Sequence, residues 1–404
     1  MPAKKTRRRT QTSARSATNR RAARRVQVTG TEQEYPKPMT AAQLKRLQAL
    51  PPEADPPRSV TLNLGTFRLP EGIRAQIVPV EGSADLVHVQ VQIPGDAVGQ
   101  RTPYERIPTV KLNRTSLKEI SSDVQPEGVR PLHLEVNFLP TRVKLTRSER
   151  PYPPFDFKYP KGVDRPTNIF PPDQRYIYQD TSFPWCTVGR VDTPLGIGTG
   201  CTIGSRLLLT ANHAIQWNND GTAGWVRFRP AYYNGSAPFG EAWANTIIWW
   251  MQDNGSDGLS DQETAFDYVV CVLDTRMGDV VGYPGYRVYS DSWNNGSYWQ
   301  HMGYPSDLSG AERPAFQGSC IISSVGNQST AGQTGYVLGH FNDVVGGHSG
   351  GPVWGWWGDE PWPRVVGTQS AEANVPANNT SGDNEFGGGP ALSSLISWAR
   401  SNFP

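Results

Sequence analysis

The sequence predicts a mainly β protein, with its best-defined all-β part in the C-terminal half. Gly (41) and Pro (35) make up about a fifth of the 404 residues, a turn-rich composition that favours many short strands over long helices. Between Phe183 and Val366, short apolar runs alternate with Gly, Asn and Asp turns. Helical spacing of apolar residues recurs at the C-terminus, where Ala391–Arg400 is predicted to form a closing helix.

The first part of the chain differs from the rest in charge. Residues 1–25 carry ten Lys or Arg and no Asp or Glu, which leaves 29 basic and 37 acidic residues in the remainder. We interpret residues 1–58 as a basic, Pro-rich disordered arm, with one short helix predicted at Thr40–Leu50. Because the remainder is net acidic and would repel phosphate, any binding of nucleic acid would be weak and confined to residues 1–25.

Three further segments follow the arm. Residues 59–147 contain alternating polar and apolar runs, such as Leu86–Ile93 and Leu132–Phe138, and are predicted to form a small β-rich domain that could serve as a pro-region. Prolines crowd residues 148–167, which favours an extended connector. Residues 168–404 form the last and largest predicted domain.

Several classes of protein are excluded by composition. No stretch approaches the roughly 18 apolar residues of a membrane-spanning helix. Met1–Arg25 lacks the apolar core of a secretory signal. The four cysteines are too few for a disulfide-built scaffold and show no zinc-binding spacing. We therefore expect no membrane span, no metal and no cofactor, and composition leaves the compartment open.

One glycine-rich segment, Gly346–Pro352, could carry nucleophilic chemistry. The hydroxyl of Ser349 is a poor nucleophile unless a neighbouring base takes its proton. Flanking glycines would let the backbone approach a substrate carbonyl and direct N–H groups at a developing oxyanion. The alternative is a glycine-rich surface turn that contains a serine by chance.

Two other segments could supply the base and its partner. His213 follows the apolar run Leu207–Leu209, as expected at the end of a buried strand that faces a cleft. Asp267 opens the apolar strand Val269–Leu273, so its carboxylate would be partly buried and would need a hydrogen-bond donor. A histidine N–H is a suitable donor, and this pairing fixes the tautomer that a serine nucleophile requires.

Together these segments resemble the trypsin-like (chymotrypsin-fold) serine peptidases over residues 168–404. The order matches, with Asp267 54 residues after His213 and Ser349 82 residues after Asp267. Three further strings resemble the glutamyl-endopeptidase-like branch of that family: Phe170–Arg175, Pro184–Arg190 and His301–Pro305.

The resemblance implies two antiparallel six-stranded β-barrels, with the active site between them and a C-terminal helix. It implies a serine endopeptidase that acts on protein or peptide substrates through His213, Asp267 and Ser349. The backbone N–H groups of Gly347 and Ser349 would form the oxyanion hole. We expect a monomer, and the resemblance alone favours an extracellular location.

The sequence departs from this family's pattern at several positions. Peptidases of the family that are activated at a new N-terminus carry an Asp before the serine, whereas this chain has His348. Asp343 lies where trypsin places the acid that receives Arg or Lys. The histidine with which the glutamyl branch reads Glu would fall near Gln369 and Ser370, so we favour basic residues at the cleavage site.

The cysteines are also placed differently, because Ala214 occupies the position after His213 where the family often has a Cys. If residues 185–191 and 195–203 form a hairpin, Cys186 falls opposite Cys201, so a disulfide between these two is expected.

Two other classes of protein share sequence features with this chain. The G-x-S-x-G pattern at Ser349 also occurs in α/β-hydrolase esterases, but these need a catalytic histidine after the serine, and His348 is the last histidine of the chain. A catalytically inactive binding protein on a peptidase scaffold is the remaining alternative. Such proteins typically lose a residue of the triad, whereas this chain has a competent residue at all three positions.

Overall fold

The computed structural model describes residues 36–49, 74–79, 87–92, 105–113, 115–116, 126–144, 169–170, 172–253, 258–358, 360–371 and 384–404. The basic arm up to residue 35 and the predicted connector 148–167 lie outside these residues, as does the predicted division between the N-terminal and C-terminal domains. Residues 36–404 form one structural unit. The mainly β fold class is confirmed.

A closed barrel of six strands forms the first half of the peptidase-like region. Its strands, with two short additions (β3 and β8), are β3 (Ile107–Lys111), β5 (Val188–Thr193), β6 (Gly196–Gly204), β7 (Leu207–Thr210), β8 (Thr222–Ala223), β9 (Arg227–Pro230), β10 (Ala242–Trp249) and β11 (Val269–Leu273). The ring runs β5–β6–β7–β11–β10–β9 and returns to β5, and all six pairings are antiparallel. The inward-facing apolar side chains of these strands fill the barrel.

The second half of the peptidase-like region is a nine-stranded sheet, called the second barrel below. Its strands and two outer additions (β4 and β12) are β4 (Tyr176–Ile177), β12 (Gly285–Tyr286), β13 (Trp299–Gly303), β14 (Ala315–Cys320), β15 (Ile322–Thr330), β16 (Gln333–His340), β17 (Pro352–Gly355), β18 (Arg364–Ala371) and β19 (Asn384–Gly388). The pairings run β15–β16–β19–β18–β17–β13–β14, and β14 continues into β15 through Ile321. Ser319 has a φ of 58°, which bends the chain there. This second sheet is consistent with the two-barrel fold that the resemblance implied.

In the described part of the chain, five α-helices accompany the barrels: α1 (Ala41–Gln48), α2 (Asp261–Ala265), α3 (Met277–Val281), α4 (Ser306–Ser309) and α5 (Pro390–Asn402). Helix α5 confirms the predicted C-terminal helix, and its leucines Leu392 and Leu395 are fully buried. Helix α1 confirms the helix predicted within Thr40–Leu50, and Thr40 caps its N-terminus through a capping box with Gln43. No helix among the described residues is long and apolar enough to cross a membrane.

The N-terminal region is built into the barrels. Strand β3 pairs in parallel with β10. Ile107, its first residue, and Leu112, directly after its end, are fully buried in the two main apolar clusters. The segment before α1 lies on the second barrel, where Trp357 Nε1 donates to Pro36 O. The described residues around β3 therefore pack into the same apolar clusters as the barrel strands.

The remaining predictions for this region have mixed outcomes. Strands β1 (Arg74–Pro79) and β2 (Val87–Gln92) form an antiparallel hairpin, which confirms the strand predicted at Leu86–Ile93. The strand predicted at Leu132–Phe138 is wrong, because this segment turns after Pro131 and makes only a single bridge, from Val136 to Phe183. The alternating polar and apolar residues of this segment belong to an irregular loop on the barrel surface, where Leu132 is 68% exposed.

The predicted disulfide is also wrong. The hairpin that suggested it does form, but its register pairs Cys201 with Val188. Cys186 lies before the strand in a 3₁₀ turn and belongs to a different apolar cluster from Cys201. All four cysteines are free and buried, and burial raises the pKa of each thiol.

Replacing Leu112 by Ala should show how strongly the N-terminal region supports the fold. The substitution leaves a cavity at the end of β3, so we expect a loss of about 2–5 kcal/mol in the free energy of unfolding. Leu132→Ala is the matched control, because the same change at an exposed position should cost less than about 0.5 kcal/mol. Urea denaturation of both variants measures the two costs, and equal small costs would contradict this role of β3.

Candidate active site

The structure places His213 shortly after the end of a buried strand. Strand β7 is buried throughout, and Thr210 at its end donates from Oγ1 to Thr199 O. Asn212 Nδ2 then donates to Met251 O, which anchors the turn on the neighbouring strand connection. The side chain of His213 is 21% exposed, so one face of the imidazole remains accessible.

Asp267 lies between α2 and β11 and is fully buried. Its Oδ1 accepts from the backbone N–H of His213 at 2.8 Å, and its Oδ2 lies 2.6 Å from His213 Nδ1. Ser370 Oγ also donates to Oδ2 at 2.6 Å. Burial alone would raise the pKa of Asp267, but the attraction of His213 and these hydrogen bonds outweigh it, so the pKa lies below its ordinary value. The carboxylate therefore stays ionised despite its burial.

Ser349 completes a continuous line of hydrogen bonds. Its Oγ lies 2.9 Å from His213 Nε2, so the three predicted catalytic residues are in contact in the order Asp267, His213, Ser349. A base oriented by a carboxylate and in contact with a hydroxyl is the arrangement that activates a serine for attack on a carbonyl carbon.

Two glycines allow the tight turn at the nucleophile. Gly347 has a φ of +103°, and a Cβ there would lie 2.2 Å from Tyr304 O. Gly350 has a φ of +80°, and a Cβ there would lie 2.4 Å from Thr199 O. Neither position tolerates a side chain, because both the backbone angle and the space exclude it.

Thr199 also holds this turn, and sequence reasoning missed it. Its backbone N–H donates to Ser349 O at 2.8 Å, and its hydroxyl donates to Gly347 O at 2.7 Å. The same hydroxyl accepts from Tyr304 N at 2.9 Å. Thr199 thus joins β6 of the first barrel to the nucleophile turn of the second, a contact between distant segments that no local motif indicates.

The two predicted oxyanion-hole donors have suitable surroundings. Among the described residues, neither the N–H of Gly347 nor that of Ser349 donates to a protein acceptor. The carbonyls of this turn are engaged, with Gly346 O accepting from Ser306 N. Two N–H groups left without protein acceptors beside a nucleophile can stabilise negative charge on a substrate oxygen.

The predicted substrate-binding residues lie in the interior. Asp343 is 1% exposed; its carboxylate accepts from Phe170 N at 2.8 Å, Gln174 N at 2.9 Å and Gln317 Nε2 at 3.2 Å. Burial raises its pKa, opposed in part by those two backbone donors. Asp343 thus fastens residues 170–174 to the second barrel.

The other two predicted substrate contacts also have protein partners. Gln369 is 2% exposed, and its amide donates to Ala371 O and Glu385 O. The hydroxyl of Ser370 donates to the carboxylate of Asp267.

Three buried histidines lie beneath the nucleophile turn. The ring of His301 is 5.3 Å from that of His348 and 6.2 Å from that of His340, measured between centroids. Burial lowers the pKa of His301 and His340 well below the ordinary 6.5, and that of His348 to about 3. Neighbouring histidines oppose protonation further, and Arg175 does so at His301 and His348. All three are neutral at neutral pH.

One curated protein is similar to part of this chain. No protein-family model matches the chain. Among curated proteins, the glutamyl endopeptidase of Bacillus licheniformis is 26% identical over 214 residues. The match spans 53% of this chain and 60% of that relative's own length.

Solved structures with a similar arrangement of strands include two peptidases and a binding protein. A Glu endopeptidase is 16% identical, with a TM-score of 0.44 over 58% of this chain and 99% of the other. The protease Anisep of Arthrobacter nicotinovorans is 18% identical, with a TM-score of 0.37 over 55% and 98%. A mutant of human heparin binding protein is 15% identical, with a TM-score of 0.41 over 57% and 97%. At these TM-scores the matches carry no functional information.

The buried histidines should make stability depend on pH. Below pH 6.5 the unfolded chain binds protons that the folded histidines reject, so the free energy of unfolding falls as pH falls. His301→Leu removes one of the sites that bind a proton in the unfolded chain but not in the folded protein. We expect the stability advantage of wild type over this variant to shrink by about 1.4 kcal/mol per pH unit below 6.5. Urea denaturation from pH 7.5 to 4.5 measures it, and a difference independent of pH would contradict the buried neutral state.

Proposed function

We propose that this chain, a relative of the trypsin-like serine peptidases on their glutamyl-endopeptidase side, is a serine endopeptidase that cleaves protein or peptide substrates. The observation that carries the proposal is the line of hydrogen bonds from Asp267 through His213 to Ser349, at 2.6 and 2.9 Å. An interaction protein on the same scaffold would have no need for a fully buried carboxylate, a base and a hydroxyl in contact.

The chemistry would proceed by acyl transfer. Ser349 Oγ attacks the substrate carbonyl carbon while His213 Nε2 takes its proton, and Asp267 holds the imidazole and stabilises its positive form. The N–H groups of Gly347 and Ser349 hold the negative oxygen of the tetrahedral intermediate. His213 then gives its proton to the leaving amine, and water, activated by the same base, releases the acyl group from Ser349.

The full chain is proposed to be competent without removal of its N-terminal region. The triad and the nucleophile turn are in contact while β3 and α1 are in place. Because Leu112 fills the core beside β10, removal of residues 1–167 would expose apolar surface. This differs from the interpretation of residues 59–147 as a pro-region, and it makes the N-terminal region a permanent part of the enzyme.

Specificity for basic residues lacks structural support at Asp343. A carboxylate that receives an Arg or Lys side chain needs free lone pairs facing the cleft. The carboxylate of Asp343 is buried and accepts three N–H donors of this chain. We therefore propose a structural role for Asp343.

A fluorophosphonate probe tests the proposed activity. We expect the full chain to be labelled, with the adduct located on Ser349 by peptide mass mapping. Ser349→Ala should abolish labelling, and Asp267→Asn should slow it strongly, because the imidazole would lose its required tautomer. Far-ultraviolet circular dichroism checks that each protein is folded. Absence of labelling in the folded full chain would contradict the proposal and favour a binding protein on a peptidase scaffold.

Asp343→Asn distinguishes the proposed structural role of this carboxylate from the predicted role in substrate binding. The change removes charge-assisted hydrogen bonds to Phe170 and Gln174, so we expect unfolding to become easier by about 1.5–3 kcal/mol. The ratio of kcat/KM for Arg-containing and uncharged peptide substrates should stay within about threefold of wild type. Asp291→Asn, at an exposed position, is the control for stability. A selective loss of the Arg substrates by more than tenfold would show instead that Asp343 receives the substrate.

A further inference from the structure

The turn that supplies the oxyanion N–H groups is held from inside by a neutral side chain. His348, directly before the nucleophile, is 2% exposed and points into the second barrel. Trypsin-like peptidases that are activated at a new N-terminus carry an Asp at this position, whose charge pairs with the new amine. An imidazole at this position has to hold the turn in another way.

The contacts of His348 close the turn onto itself. Its Nδ1 lies 3.2 Å from Val345 N and 2.9 Å from Val345 O. Its backbone N–H donates to Val345 O at 3.1 Å, and its carbonyl accepts from Gly351 N at 2.7 Å. The side chain and backbone of one residue thus fasten both ends of the segment that contains Gly347 and Ser349.

The barrel wall leaves a space shaped for this ring. The imidazole lies against His301 of β13, with centroids 5.3 Å apart and planes inclined by 31°. Gly303, two residues further along β13, gives it room, since a Cβ there would lie 2.4 Å from Cδ2 of His348. Burial keeps the ring neutral, with its pKa lowered to about 3, so no counter-ion is required in the barrel.

We propose that His348 is a positioning residue that holds Gly347 and Ser349 in their catalytic arrangement, so that the turn needs no newly formed N-terminal amine. The inference rests on the proposed peptidase function. It predicts that loss of the His348 contacts disturbs the oxyanion donors more than the binding of substrate.

The test compares two replacements of the ring. His348→Leu replaces the imidazole by an apolar side chain of similar size, which cannot make the polar contacts of Nδ1 with Val345. We expect kcat to fall by about 10²–10³, as for the loss of an oxyanion donor, while KM changes less than about threefold. Affinity for a peptide boronic acid, whose tetrahedral adduct uses the same donors, should fall in parallel. His348→Asn places an amide, which can both donate and accept, near the position of Nδ1 and should restore kcat to within about tenfold of wild type.

Gly303→Ala gives an independent reading if His348→Leu does not fold. The added methyl presses on the same ring from β13 and leaves the sequence of the turn unchanged, so kcat and boronic acid affinity should fall together again. Fluorophosphonate labelling of wild type is measured first, so failure of the proposed function is seen separately. With wild type active, unchanged kcat in folded His348→Leu or Gly303→Ala would overturn the inference. Equal damage in His348→Leu and His348→Asn would also overturn it.

Discussion

The site depends on one carboxylate that has no access to water. An ionised group in the interior is costly unless it is surrounded by hydrogen-bond donors, and Asp267 receives them from both barrels: two from His213 in the first and one from Ser370 in the second. This requirement fixes the ring of His213 and brings its Nε2 within 2.9 Å of Ser349. The donors belong to different barrels. The hydrogen bonds that orient the ring of His213 therefore also hold the two barrels together at this point.

The contact among Asp267, His213 and Ser349 could be predicted from sequence because each of these residues lies in a distinctive local string. His213 ends an apolar strand, Asp267 opens one, and Ser349 is flanked by glycines whose positive φ values the chemistry of the turn requires. The C-terminal helix was predictable for the same reason, since the periodicity of Ala391–Arg400 is local. Both barrels, in contrast, were implied by the family resemblance and not by any single pattern. Their closure depends on pairings between segments far apart in the chain.

Features that depend on distant contacts could not be read from the sequence. Strand β3 joins β10 in parallel across more than a hundred residues, so nothing near Ile107 indicates that it belongs to the peptidase core. Thr199 has no motif, because its role arises from the approach of the two barrels. Asp343 has the expected position along the chain, but the segment that fastens onto it, around Phe170, fills its lone pairs. The register that separates Cys186 from Cys201 is likewise set by the sheet.

The central claim is that the catalytic line is assembled in the full, uncleaved chain. Proton NMR of the full chain with nitrogen-15 in its histidines tests it directly, because the N–H between His213 Nδ1 and a buried carboxylate at 2.6 Å gives a resonance far downfield. The account predicts this resonance in the intact protein, and its loss in Asp267→Ala. A resonance that is absent from the intact protein and appears only after cleavage of the N-terminal region would contradict it.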